Sequence, residues 1–152
     1  MVKKTNKRKK AYKLIDRVFR SEKRIRQAVD EARHSTIGSR KGEGGSGHPS
    51  GISDPTANTA IHAISEIKSV IVDDLVVHRP EKWLKVIGLT YGNSGEAEQK
   101  LMRQYYNGWS VTEIAAKNDN GYSEQTLFYI LSSFRQLAAE IACQYGLIHV
   151  VE

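Results

Sequence analysis

NGWSVTEIAAKNDNGYSEQTLFYILSSFRQLAAEIA, residues 107–142, holds two helical patterns on either side of a turn that contains glycine. The first pattern is short: Ser110 is placed to cap a helix whose apolar side is Val111, Ile114 and Ala115. Asn118, Asp119, Asn120 and Gly121 then interrupt it, because Asn and Asp bond their own backbone and, like Gly, tolerate positive φ. A second helix starts at Ser123, a good N-cap, and Glu124 lies in its first turn, where the helix dipole favours an acid. Leu127, Ile130, Leu131, Phe134, Leu137, Ala138 and Ile141 follow at three- and four-residue spacing, the mark of a helix with one buried face. The outline is a helix-turn-helix, with Ile114, Ala115, Leu127, Ile130 and Leu131 as its predicted core. In such a unit the first helix buttresses the second, whose first residues are presented to a DNA major groove.

Upstream, Asn93 or Ser94 is expected to cap a helix containing Leu101, Met102, Tyr105 and Tyr106, which ends at Asn107-Gly108. Before that, Glu81 to about Tyr91 carries Trp83, Leu84, Val86, Ile87 and Leu89 in another helical pattern. Asp54 reads as an N-cap with Pro55 at the first helical position, and Ala57, Ala60, Ile61, Ile64, Ile67, Ile71 and Leu75 predict one long helix through about Leu75. Only LIHVV, residues 147–151, has the β-branched content of a strand, and it is too short to define a sheet. Residues 54–152 are therefore expected to form a helical domain, and the fold class to be all-α.

Residues 35–53 are dominated by Gly, Ser and Pro and predict a flexible linker. Residues 11–34 predict a basic amphipathic helix. Leu14, Ile15, Val18, Phe19, Ile25, Ala28, Val29 and Ala32 fall largely on one side, and Lys13, Arg17, Arg20, Lys23, Arg24 and Arg26 crowd the rest. That apolar stripe suits packing on the C-terminal domain or pairing with the same helix of a second subunit in a homodimer; a membrane surface fits it least well. Residues 1–10, MVKKTNKRKK, lack periodicity and are expected to be a disordered basic tail.

The net charge of +6 conceals a division along the 152 residues. Residues 1–41 hold 15 Lys+Arg against four acids, a net +11, and the remainder holds 8 against 13, a net −5. A segregated basic block suits phosphate binding, because each neutralised phosphate releases counterions. Lys3, Lys4, Lys7, Arg8, Lys9, Lys10, Lys13, Arg17, Arg20 and Arg24 are the candidate phosphate contacts there, with Arg135 from the last helix. The remaining composition argues against other classes. No apolar run approaches the ~20 residues of a membrane span and no signal peptide opens the chain, so a cytosolic protein is expected. Cys143 has no partner for an internal disulfide. His34, His48, His62, His78 and His149 lack paired ligand spacing, and no glycine loop ends in Gly-Lys-Ser/Thr, so neither a metal nor another cofactor is expected. Asp73 and Asp74 are adjacent, and successive helical residues point about 100° apart, so they do not converge as an acid/base pair. An enzyme is not expected.

The order of parts, a Ser-Asp-Pro-Thr-Ala helix start, then LMRQYYNGWSVTEIA, then SEQTLFYILSSFRQLAAEI, resembles the RinA and ArpU type phage late transcriptional regulators. The C-terminal part of those regulators looks like region 4 of the sigma-70 family. The resemblance covers about two thirds of the chain, from Ser53 onward, and its Tyr-Tyr-x-Gly-x-Ser-x-x-Glu-Ile-Ala pattern matches Tyr105 to Ala115. It implies a phage- or prophage-encoded activator of late genes that binds double-stranded DNA in a bacterial cytoplasm. Two features depart from the pattern. The turn from Lys117 to Tyr122 is about two residues longer than usual, and the second helix has no Lys or Arg from Ser123 to Phe134. Base reading then falls to Ser123, Gln125, Thr126, Phe128 and Tyr129: Gln pairs with adenine, and Thr or Phe touches a thymine methyl. Phe128 and Tyr129 also suit protein contacts, in a homodimer or against RNA polymerase. The competing classes are a small terminase subunit that recognises packaging DNA and a non-DNA adaptor that holds RNA polymerase.

Overall fold

Ile15, Val18 and Phe19 recur at helical spacing and are buried, and they fasten the first helix, α1 (Val2–Arg20), to the rest of the molecule. The computed structural model describes residues 2–38, 65–117 and 121–149. Among them α1 is followed by α2 (Glu22–Gly38), a hairpin of β1 (Ser69–Val72) and β2 (Leu75–His78), α3 (Pro80–Gly92), α4 (Glu96–Tyr106), α5 (Val111–Lys117) and α6 (Glu124–Gln144). The fold is mostly helical, and the one sheet among the described residues is a two-stranded antiparallel ribbon.

The N-terminal region differs from its sequence reading in three ways. Residues 2–10, expected as a disordered tail, form the first half of α1. The single helix expected over residues 11–34 is two helices parted at Ser21. Ser21 N–H lies 3.2 Å from the Arg17 carbonyl and 3.1 Å from that of Val18, and its own carbonyl accepts from Ile25 N–H at 2.8 Å. The chain therefore turns there without orphaning these backbone groups. Val18 and Ile25 are one heptad apart, so the apolar stripe stays in phase across the break and periodicity does not reveal it. The break lets α1 pack on α6 and α4 while α2 packs on α3 and β1. Arg24 pairs with Asp73 at the hairpin turn, and Arg33 Nε donates to Glu81 at 2.7 Å, tying α2 to α3. Finally, α2 extends to Gly38, so residues 35–38 are helix; residues 39–53 of the expected linker lie outside the described residues.

The start of the long helix expected from Asp54 also lies outside the described residues, but its end is corrected. Residues 69–78 form the hairpin, paired Ser69↔His78 through Val72↔Leu75. SVIV and LVVH are rich in β-branched residues, which fit a pleated surface better than a helix. The two-residue Asp73-Asp74 loop joins them, with Asp73 at φ 51°, a conformation Asp tolerates better than most residues. Val70, Val72 and Val77 point into the core, whereas the paired Ile71 and Val76 face outward, 72% and 46% exposed.

Pro80 occupies the first turn of α3, as its fixed φ favours, and Trp83, Val86 and Ile87 face inward. Asn93 and Ser94, expected to cap α4, instead close α3. Asn93 Nδ2 donates to the Leu89 carbonyl at 2.7 Å, which the Asn93 N–H also reaches, and Ser94 Oγ donates to that of Thr90 at 2.8 Å, a carbonyl that the helix end leaves open. The α4 N-cap is Gly95, without a side-chain bond. The expected terminal strand does not form over residues 147–149, where Ile148 is buried against the core, and residues 150–151 lie outside the described residues. At the centre of the molecule Phe19, Tyr91, Tyr106 and Phe134 bring α1, α3, α4 and α6 together, with ring centroids 5.1 to 6.1 Å apart.

Candidate nucleic-acid interface

The helix-turn-helix reading rests on α5 and α6, and local chemistry explains both starts. Ser110 and Glu113 form a capping box: Glu113 N–H donates to Ser110 Oγ at 3.2 Å, and Ser110 N–H donates to Glu113 Oε2 at 3.0 Å. Gly108 precedes it at φ 107°, a conformation open to glycine and rarely to other residues. Ser123 caps α6 by accepting from Thr126 N–H at 3.2 Å, and its hydroxyl also lies 3.0 Å from that of Thr126. Residues 118–120 of the turn lie outside the described residues, and Gly121 follows at φ 70°.

Packing then divides α6 into two faces. Val111 and Ile114 of α5 are buried, as are Leu127 and Leu131 of α6, and Ala115 and Ile130 are partly buried beside them. All five residues predicted for the core of the unit therefore lie in or against the hydrophobic core. The five candidate base-reading residues, Ser123, Gln125, Thr126, Phe128 and Tyr129, are all exposed in the first turns of α6. Phe128 is 57% and Tyr129 74% exposed, a large aromatic surface at the start of this helix.

Arg135 is placed differently from its sequence reading as a phosphate contact. It forms a two-pronged pair with Asp16 of α1, Nε to Oδ1 at 2.9 Å and Nη2 to Oδ2 at 2.6 Å, and Nη2 also lies 3.2 Å from the Tyr105 hydroxyl. Burial alone would make this guanidinium easier to deprotonate, but the Asp16 hydrogen bond and charge outweigh it and hold its pKa above the usual value. Tyr106 donates to the same carboxylate at 2.9 Å, and its pKa is raised first by burial and then by the Asp16 charge. Burial likewise raises Tyr91 to about 12. This network clamps α1, α4 and α6 and commits Nε and Nη2 of Arg135 to Asp16 and Tyr105.

The clamp also sets the direction of α1. Asp16 meets Arg135, Phe19 meets Phe134, and Arg8 and Tyr12 line a groove with Glu140 and Gln144. The two helices are therefore antiparallel, and Arg8 lies near the end of α6 while Gln125 lies at its start, about 28 Å away at 1.5 Å per residue. The side chains of Lys7, Arg8, Lys9, Lys10, Lys13 and Arg17 are exposed, as expected of phosphate contacts, but Lys7 to Lys10 are remote from the candidate base-reading turns. Lys3 and Lys4 belong to the helical backbone of α1, and their side chains lie outside the described residues. Arg24 is paired with Asp73, and Arg20 leans on Tyr105, its Nη2 3.3 Å from the hydroxyl.

Two cations that were not singled out in the sequence sit near the unit. Arg103 stacks on Tyr91 with its guanidinium carbon 4.2 Å from the ring centre, and Lys117 of α5 lies 4.6 Å from the centre of the Trp109 ring. No spacing rule predicts the Arg103–Tyr91 pair, because the partners belong to different helices. Among the described residues no group of three His, Cys, Asp or Glu side chains is placed to hold a metal, and no helix is long and apolar enough to cross a membrane. No family model, no curated protein and no solved structure matches the chain.

Proposed function

We propose that the protein is a sequence-specific DNA-binding transcriptional regulator of phage or prophage late genes, acting in the cytoplasm of a bacterial host. The observation that carries this reading is the two-faced start of α6. Leu127 and Leu131 are buried, whereas Ser123, Gln125, Thr126, Phe128 and Tyr129 are exposed in the turns that a helix-turn-helix inserts into the major groove. The basic surface of α1 supplies sequence-independent attraction to phosphates, and the resemblance to RinA and ArpU type regulators supplies the gene class. With no Lys or Arg from Ser123 to Phe134, base reading relies on Gln125 to adenine and on Thr126 and Phe128 to thymine methyls, which favours A·T-rich sites.

The test is a binding selection from a random duplex pool, followed by titration of the enriched sequence. Gln125→Ala is expected to retain non-specific affinity and lose about 1–3 kcal/mol of preference for the enriched sequence. A variant that enriches the same sequence as strongly would remove base reading from α6. The exposure of Phe128 and Tyr129 supports a second reading, in which this helix binds protein, RNA polymerase included. Under that reading Phe128→Ala/Tyr129→Ala abolishes capture of purified polymerase in nuclease-treated samples and leaves DNA binding unchanged.

A further inference from the structure

A crevice at the α1–α2 elbow gathers cations that the fold leaves without acidic partners. Phe19, Arg20 and Lys23 line it from one side, and Tyr91, Arg103 and Tyr106 from the other. Arg24, Arg26, Arg33 and Arg135 each pair with a carboxylate. Among the described residues Arg20, Lys23 and Arg103 have no carboxylate within salt-bridge distance. The one acid at the crevice, Glu22, is engaged by Arg26 at 3.1 Å.

The two guanidiniums are held by rings. Arg20 lies 5.3 Å from the centre of Tyr105 and bonds its hydroxyl, and Arg103 lies 4.2 Å from the centre of Tyr91. A cation stacked on an aromatic face keeps its full charge and its edge donors, while the ring removes part of the entropy it would otherwise lose on binding an anion. Held in this way, the planar forks match the bidentate geometry of a phosphate.

The crevice sits over the aromatic centre of the molecule: Phe19, Tyr91 and Tyr106, which line it, each contact Phe134 of α6. Its cations are thereby carried on packed elements and not on a free tail.

We infer that the α1–α2 elbow is a phosphate clamp in which Arg20, Lys23 and Arg103 grip the DNA backbone; this rests on the DNA-binding reading above. The test uses the full chain, a random-sequence duplex and fluorescence anisotropy over a range of KCl concentrations. Each phosphate contact contributes about 0.9 to the slope of log affinity against log salt. Arg20→Gln/Arg103→Gln is expected to lower that slope by about 1.8, whereas Lys82→Gln/Lys85→Gln, which removes an equal charge outside the crevice, leaves it unchanged. Arg20→Lys/Arg103→Lys, which keeps the charge, is expected to restore most of the slope. If the double glutamine variant loses its cooperative melt, the two single variants carry the test with half the effect each. A slope equal to that of Lys82→Gln/Lys85→Gln overturns the clamp while the DNA-binding reading stands. Absence of duplex binding by the unmodified protein overturns both, as does capture of an acidic peptide in place of duplex.

Discussion

Asp16 is a single carboxylate to which Arg135 and Tyr106 both donate, so it decides how three helices meet. Both side chains of its ion pair are less than a quarter exposed, and removing one partner leaves the other's charge half-buried and unmatched. Asp16→Asn is therefore expected to lower stability by about 2 kcal/mol, read from denaturant midpoints. Tyr106→Phe keeps the ring and loses one hydrogen bond, for a loss of about 1 kcal/mol. The pH dependence follows from the raised tyrosines. An acid whose pKa is higher folded than unfolded contributes stability below its unfolded value, near 10, and loses it as the pH rises toward the folded value. Tyr91 at about 12, with Tyr106 raised further, predicts a melting temperature that falls from about pH 10 upward. Absorbance at 295 nm should show these two tyrosines ionising only as the protein unfolds, and Tyr106→Phe should flatten the decline. None of this was legible beforehand, because Asp16 and Arg135 are 119 positions apart and each alone reads as a charge on the polar side of a helix.

At the scale of elements, helices with their own stop and start signals were readable and the hairpin was not. Ser123, Ser110 with Glu113, and Pro80 act on backbone groups within a turn of themselves, so their effect is carried in the local sequence. Ile64, Ile67, Ile71 and Leu75 satisfy helical spacing, while the same region holds two runs rich in β-branched residues, Val70-Ile71-Val72 and Leu75-Val76-Val77, on either side of Asp73-Asp74. The sheet is chosen by what lies beneath it, since α2 offers an apolar surface to β1. Val77→Ala is expected to cost about 2 kcal/mol through lost burial, whereas Ile71→Thr on the outer face should change stability by less than about 0.5 kcal/mol. Equal losses in a thermal melt would place Ile71 in the core and contradict the register. Gly108→Ala forces a side chain into φ 107° and is expected to cost more than about 1 kcal/mol, with the loss localised by hydrogen exchange to the start of α5.

For the whole molecule, the largest revision concerns the basic region. Read from charge, residues 1–41 resemble an arm tethered to a separate domain; in the structure Ile15, Val18, Phe19, Ile25 and Val29 belong to the same buried cluster as Leu127 and Phe134. Deleting residues 1–20 is therefore expected to abolish cooperative melting. Replacing Lys7, Arg8, Lys9 and Lys10 by alanine should leave the melt within about a degree or two while weakening binding to all DNA sequences alike. An arm-deleted protein that melted as the intact one does would restore the tethered-arm picture. The sequence by itself determined the helical character, the two starts that frame the turn, which residues of α6 face inward, and where the positive charge lies. These depend on bonds and spacings within a few residues. Only the tertiary structure decided that the chain breaks at Ser21, that residues 69–78 pair as strands, and that α1 runs antiparallel to α6 with its lysine-rich start far from Gln125. Those outcomes depend on contacts between residues tens to more than a hundred positions apart, where periodicity and capping carry no information.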